Sequence, residues 1–164
     1  MKKILALVLA LAMMAVLACS AIAEQPTYHF EIVSKGFQST YWQAVLKGTE
    51  ARTKEINDEA GYEKITFQFV GPDAESNVAQ QVSQFESAVN ASPAAIGFAA
   101  VDQEAFVDLI AQAQSKNIPI IGFDSGVPGA PEGAIKATAS TNNENAAAIA
   151  AEKMMEQEGF ADML

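Results

Sequence analysis

The sequence predicts an α/β fold, a doubly wound parallel sheet flanked by helices. Three observations predict it. Runs rich in β-branched and aromatic residues alternate three times with longer stretches whose apolar residues recur every three or four positions, and a fourth strand, a fifth strand and a last helix follow. Alternation at this spacing gives parallel strands with crossover helices on both faces of the sheet. The third observation is the run 118–123, Ile-Pro-Ile-Ile-Gly-Phe, which ends abruptly at Asp124-Ser125-Gly126. A short, wholly apolar run of this kind suits a central strand buried on both faces. Ligands of open parallel sheets bind beyond the carboxyl ends of the strands, where Asp124 falls. From this stretch alone Asp124 reads equally well as a turn cap or as a ligand-holding carboxylate.

The segment before the fold has a different character. Lys2 and Lys3 precede an apolar run over residues 4–17, followed by small residues. That pattern is a secretory signal peptide, too short for a membrane span, and Ala21-Ile22-Ala23 predicts cleavage after Ala23. The alternative is a lipoprotein signal in which Val16-Leu17-Ala18-Cys19 is the lipobox and Cys19 is acylated and anchored. The expected location is therefore outside the cytoplasm, in the periplasm or the cell envelope. Two of the ten basic residues and none of the twenty acidic ones lie in residues 1–23, so the mature chain carries −12. Such a charge argues against nucleic acid, which needs a basic face. The only cysteine, Cys19, lies in the leader, so packing rather than disulfides must hold the exported domain. With His29 the only histidine and no acidic cluster at calcium-loop spacing, no metal site and no cofactor is expected.

Taken in order, residues 28–34 form the first strand, with His29 read as structural. Residues 35–40 are a loop, and residues 41–60 carry the first helical pattern through Trp42, Val45, Leu46 and Thr49, stopped by Gly61. Residues 65–70 are the second strand. Residues 77–90 are the second helix, with Val78, Val82, Phe85 and Val89 on one face. Residues 93–99 are the third strand, and Asp102 is the expected N-cap of a helix running to Lys116. The fourth strand covers 118–123 and a fifth covers 134–139. Thr141 or Asn142 then caps an alanine-rich helix from Asn145 to about Glu158.

Nucleotide chemistry finds no support. The loop after the first strand has one glycine, and neither G-x-G-x-x-G nor G-x-x-x-x-G-K-[ST] occurs. Gly-x-Ser-x-Gly is absent and His29 is badly placed for a serine triad, so no enzyme is expected. The strand ends suit a neutral, hydroxyl-rich ligand better. Phe37, Tyr41 and Trp42 offer flat rings for the C–H face of a sugar, although adjacent helical positions diverge by about 100°, so one of Tyr41 and Trp42 belongs to the core. Asp124 can accept two hydroxyl protons, and Asn142 offers a donor and an acceptor.

On these residues the chain resembles the periplasmic sugar-binding proteins of the ribose-receptor type, the soluble receptors of ABC importers. Ser39-Thr40-Tyr41-Trp42 stands where the family often has Asn-Pro-Phe-Phe, and residues 94–102 match its third unit. Residues 118–124 match Ile-Pro-Val-Ile-x-x-Asp, and Ala139-Ser140-Thr141-Asn142 matches Ala-Ser-Asp-Asn. The resemblance implies the periplasmic binding protein-like I fold. Tyr41 and Trp42 would stack on the sugar and Asp124 would hold its hydroxyls, with Phe37, Ser125 and Asn142 beside them. It also implies a monomeric receptor, when full length, that delivers its sugar to an ABC permease. Ser125 replaces a common arginine and Thr141 an acid, so ribose itself is not carried over. Receptors of this type have two lobes. Residues 24–140 are then the amino-terminal lobe and 141–164 the crossover and first helix of a second, truncated one. Two rival readings are a receptor for a sugar-like signal, such as a furanosyl autoinducer or an inositol, and the effector domain of a LacI-type regulator. The leader and the lack of an amino-terminal DNA-binding helix pair speak against the regulator.

Overall fold

The computed structural model describes residues 25–157 and 159. The leader, with both its cleavage alternatives and Cys19, lies outside them. The elements alternate as β1 (Tyr28–Val33), α1 (Thr40–Ala60), β2 (Ile65–Val70), α2 (Val78–Asn90), β3 (Ala95–Phe98), α3 (Val107–Ser115), β4 (Ile120–Phe123), β5 (Ile135–Ala139) and α4 (Asn143–Met155). All neighbouring strands are parallel, in the order β2-β1-β3-β4-β5. The expected α/β architecture with flanking helices is the one observed.

Local chemistry explains most boundaries. Ser39 caps α1 by accepting the Tyr41 amide, and Gly61 ends it at φ +73°, a left-handed conformation that a Cβ disfavours. Asn77 caps α2 and Asn142 caps α4, each through its side-chain oxygen, which settles the choice between Thr141 and Asn142. β4 starts two residues later than expected because Pro119 has no N–H for the ladder, although its carbonyl still accepts from Ile96.

Two expectations fail. β4 is an interior strand but is not buried on both faces, because nothing among the described residues covers Ile121, which is 40% exposed. Asp102 does not cap α3, which starts at Val107 after Phe106. Its carboxylate instead accepts the amides of Glu104 and Ala105, closing a local turn that competes with helix.

Strand periodicity sends alternate side chains to opposite faces. Val33, Ile96, Phe98 and Ile120 point toward α2 and α3, where they meet Phe85, Val89, Phe106 and Ile110 in one buried cluster. Phe85, Phe98 and Phe106 pack with ring centroids 4.6–5.8 Å apart. The other face carries α1, of which only Trp42 is buried. Every described residue of α4 is exposed.

Candidate ligand-binding site

The carboxyl edge of the sheet is held in place from below by Gln81 of α2, which is fully buried. Its Nε2 donates to Ser34 O (2.7 Å) and Ala99 O (2.8 Å), and its Oε1 accepts from Val101 N (2.9 Å). One side chain thus ties together the chain segments leaving β1 and β3. Ser34 Oγ donates to Val70 O and Gly36 O, joining the end of β2 to the same assembly. Gly71 is required there: a Cβ on it would lie 2.3 Å from Ser34 Oγ.

Onto this edge β4 delivers Asp124 at φ +60°, a conformation that Asp tolerates better than most residues. Its amide donates to Ala139 O at 2.9 Å, which locks the turn to β5. Its carboxylate is not spent on the turn. Oδ2 lies 3.0 Å from Lys35 Nζ, and the Tyr41 hydroxyl donates to Oδ1 at 3.5 Å. The three groups come from the ends of β1 and β4 and the first turn of α1, so only the folded sheet brings them together. The Lys35 and Asp124 side chains are 23% and 30% exposed, and water screens their pair enough that it adds little to stability. Its consequence is positional: the carboxylate faces a cleft rather than the bulk.

That cleft is polar, about 280 Å³, and lined by Tyr41, Asp124, Ala139, Ser140, Thr141 and Asn143. It adjoins an apolar hollow of about 320 Å³ whose walls include Ile32, Val45, Gly97 and Phe123, again with Tyr41 and Asp124. Hydrogen-bonding groups on one side and carbon surface on the other suit a small ligand with an apolar face and a hydroxylated rim.

The residues expected at the site are treated unequally. Tyr41 is 53% exposed, whereas Trp42 is 1% exposed. The Trp42 ring is wedged edge-on between Tyr41 (4.7 Å) and Phe123 (6.0 Å), and its Nε1 donates to Glu75 Oε1 at 2.8 Å. The pair therefore divides as helical geometry requires, with Trp42 as the floor beneath Tyr41. Phe37 lies apart, packed on Phe69 of the edge strand β2 at 6.5 Å. Ser125 Oγ donates to Ala100 O at 2.9 Å, bracing the loops after β3 and β4. Asn142 uses its side-chain oxygen as the cap, and its neighbour Asn143 lines the cleft. Lys35 was missed by sequence reasoning. Its signal was its place directly after a strand end, which a loop assignment for residues 35–40 obscured. Among the described residues no group of three or more His, Cys, Asp or Glu side chains converges as a metal site.

Fold and edge together define the class: an α/β parallel-sheet domain that presents a cleft at the carboxyl ends of its strands. The chain belongs to the periplasmic binding protein domain family, whose model matches residues 30–159. Among solved structures it is similar to an ABC transporter, LacI family transcriptional regulator from Brachyspira murdochii, at 44% identity over 79% of this chain and 39% of that one, with a TM-score of 0.70. It is similar to an ABC transporter solute binding protein from Agrobacterium vitis with bound D-fucose, at 32% identity, 78% and 42% coverage and a TM-score of 0.65. A carbohydrate transporter solute binding protein from Agrobacterium radiobacter in complex with D-arabinose is 32% identical, with 80% and 40% coverage and a TM-score of 0.61. The chain spans about two fifths of the length of these proteins. A comparison with curated proteins finds no match.

Proposed function

We propose that the chain is the amino-terminal lobe of an exported receptor that captures a sugar for an ABC importer, without catalysis. One observation carries the reading: Asp124, at a left-handed turn, directs its carboxylate to Lys35 and Tyr41 at the rim of a cleft with one polar and one apolar side. In this reading Asp124 accepts ligand hydroxyl protons, Lys35 donates to ligand oxygens, and the Tyr41 ring covers the carbon face. Phe37, Ser125 and Asn142 shape the loops around them. Support comes from the relatives solved with D-fucose and D-arabinose, and from the leader pattern in residues 1–23. A second lobe would close the cleft, consistent with the share of the relatives that the chain spans.

The test is calorimetric titration of the full-length protein with a panel of pentoses and hexoses. Asp124→Asn is the informative variant because Asn also tolerates the left-handed turn while losing the charge. Affinity should fall tenfold to a hundredfold, about 1.5–3 kcal/mol for a hydrogen bond to a charged group, with the thermal midpoint unchanged. Unchanged affinity in the folded variant would reduce Asp124 to a turn residue. The Brachyspira relative is described as both a transporter and a regulator, and so keeps the regulator reading open. Detecting the mature protein outside the cytoplasm would exclude it.

A further inference from the structure

A second cleft lies between α2 and the β1–β2 edge and shares no residue with the candidate ligand site. At its floor is Glu31, a carboxylate in the middle of an interior strand, with its side chain only 7% exposed. Burying an ionised carboxylate is costly unless it is neutralised and hydrogen-bonded. Its Oε1 lies 3.0 Å from His29 Nε2, and His29 Nδ1 lies 2.9 Å from Thr66 Oγ1. His29 Nε2–H donates to the carboxylate, and Nδ1 and the threonine hydroxyl close the chain. Among the described residues nothing hydrogen-bonds Glu31 Oε2, and no lysine or arginine pairs with this carboxylate.

The remaining polar groups of the wall are neutral oxygen ligands. Gln84 Oε1 is buried without a partner, because the carboxamide is held by donation from Nε2 to Gly71 O at 3.0 Å. Ser87 donates its hydroxyl proton to Ser83 O, which leaves its lone pairs free; Ser83 and Gln68 add further oxygens, and Val70, Ala88 and Ala91 complete the lining. A carboxylate without a lysine or arginine partner and an orphaned carbonyl oxygen in one cleft are acceptors in search of a cation. One formal charge among neutral oxygens suits a monovalent ion better than calcium or magnesium, which favour several carboxylates or phosphates. The volume, about 280 Å³, admits an ion that keeps some of its waters.

We propose that this cleft binds a small monovalent cation, inorganic or ammonium, through Glu31 and Gln84 with help from the Ser83 and Ser87 hydroxyls. Occupancy would brace α2 against the β1–β2 edge, and α2 is the helix whose Gln81 holds the strand ends. The proposal is independent of what the ligand-binding edge takes.

The test is the thermal midpoint of the full chain in sodium, potassium or ammonium chloride against N-methylglucamine chloride, all at the same ionic strength. At ten times the dissociation constant, at least one small cation should raise the midpoint by about 3–6 °C relative to the bulky one. Glu31→Gln should abolish that difference, whereas Glu86→Gln, which removes the same charge from the exposed side of α2, should keep it. Gln84→Met preserves volume and the strand carboxylate, and should weaken the apparent affinity at least fivefold, which keeps the question answerable if Glu31→Gln does not fold. The identity of the most effective cation separates an inorganic ion from an ammonium group. Equal midpoints in all four salts would show a cleft holding only water and overturn the proposal. So would a response that survives Glu31→Gln, an apparent affinity that Gln84→Met leaves unchanged, or a response that Glu86→Gln abolishes equally.

Discussion

The two faces of the sheet are built to different standards. Under α2 and α3, Phe85, Phe98, Phe106, Ile96, Ile110 and Ile120 are at most 2% exposed and interlock without an apolar gap. Under α1, Phe30, Ile32, Ile65 and Phe67 line an open apolar groove of about 470 Å³, and Ile121 is 40% exposed. Strand composition does not make the difference, since the packed face is the one that carries Glu31 and Gln68. The helices do. α2 and α3 place Phe85, Val89, Phe106 and Ile110 against the sheet, whereas α1 lines the groove with Val45, Gly48, Thr49, Arg52 and Thr53 and a single large apolar residue, Ile56. One face carries the stability of the fold. The other leaves room beside Tyr41 and Asp124, where the candidate ligand site lies.

The contrast can be broken most forcefully in the packed layer. Phe85→Ala should cost about 3–5 kcal/mol in chemical denaturation, since its neighbours cannot close over the cavity. Val45→Ala on the open face should cost about 1 kcal/mol or less, because the groove already forfeits those contacts. Similar losses at the two positions would show that the faces are equally packed in solution.

Gln81→Met should come next, at about 2–4 kcal/mol. It keeps the volume but strands the carbonyls of Ser34 and Ala99 and the amide of Val101. Faster amide exchange at Val101 would localise the damage to the strand ends. A smaller effect of opposite sign is expected at the edge site. Asp124→Gly relieves the left-handed backbone and loses only a solvent-screened ion pair, so stability should rise by about 0.5–1 kcal/mol while sugar affinity in the full-length protein falls. A destabilised variant would mean that the Lys35 pair contributes more than its exposure suggests.

The smallest effect concerns acid. Hydrogen bonds from the backbone amides of Ala105, first, and Glu104 hold the Asp102 carboxyl below the ordinary carboxylate value of 3.8. Because the folded value is the lower one, this carboxylate adds stability above the unfolded value, and the gain is lost as pH falls through the folded value. Denaturation midpoints measured from pH 5 down to pH 2 should therefore decline slightly less steeply in Asp102→Ala than in the wild type. A steeper decline would contradict the turn.

Much of this protein was legible in its sequence, because the relevant forces are local. Period two and period three-to-four apolar spacing set the elements, and Ser39, Gly61, Asn77 and Asn142 set helix ends through bonds that span at most four residues. The apolar run before Asp124 declared an interior strand with Asp124 at its carboxyl end, but burial on both faces did not follow, since Ile121 is 40% exposed. Asp102 misled because an aspartate serves a helix cap and a free-standing turn equally well, and the choice depends on where Phe106 finds its core.

What only the tertiary structure decided follows from strand order. Parallel pairing as β2-β1-β3-β4 brings Lys35 beside Asp124, eighty-nine positions away, and leaves Phe37 on Phe69 at the far edge. It also places Glu31 at the floor of a cleft beneath α2, with His29 hydrogen-bonded to it. A sequence specifies which face of its own helix or strand a residue occupies. It does not specify what the opposite face belongs to, because that partner arrives through crossovers whose geometry is set by the sheet as a whole. Trp42 and Tyr41 show the limit: adjacent positions about 100° apart on one helix separated the buried ring from the exposed one, and only the packed sheet said which was which.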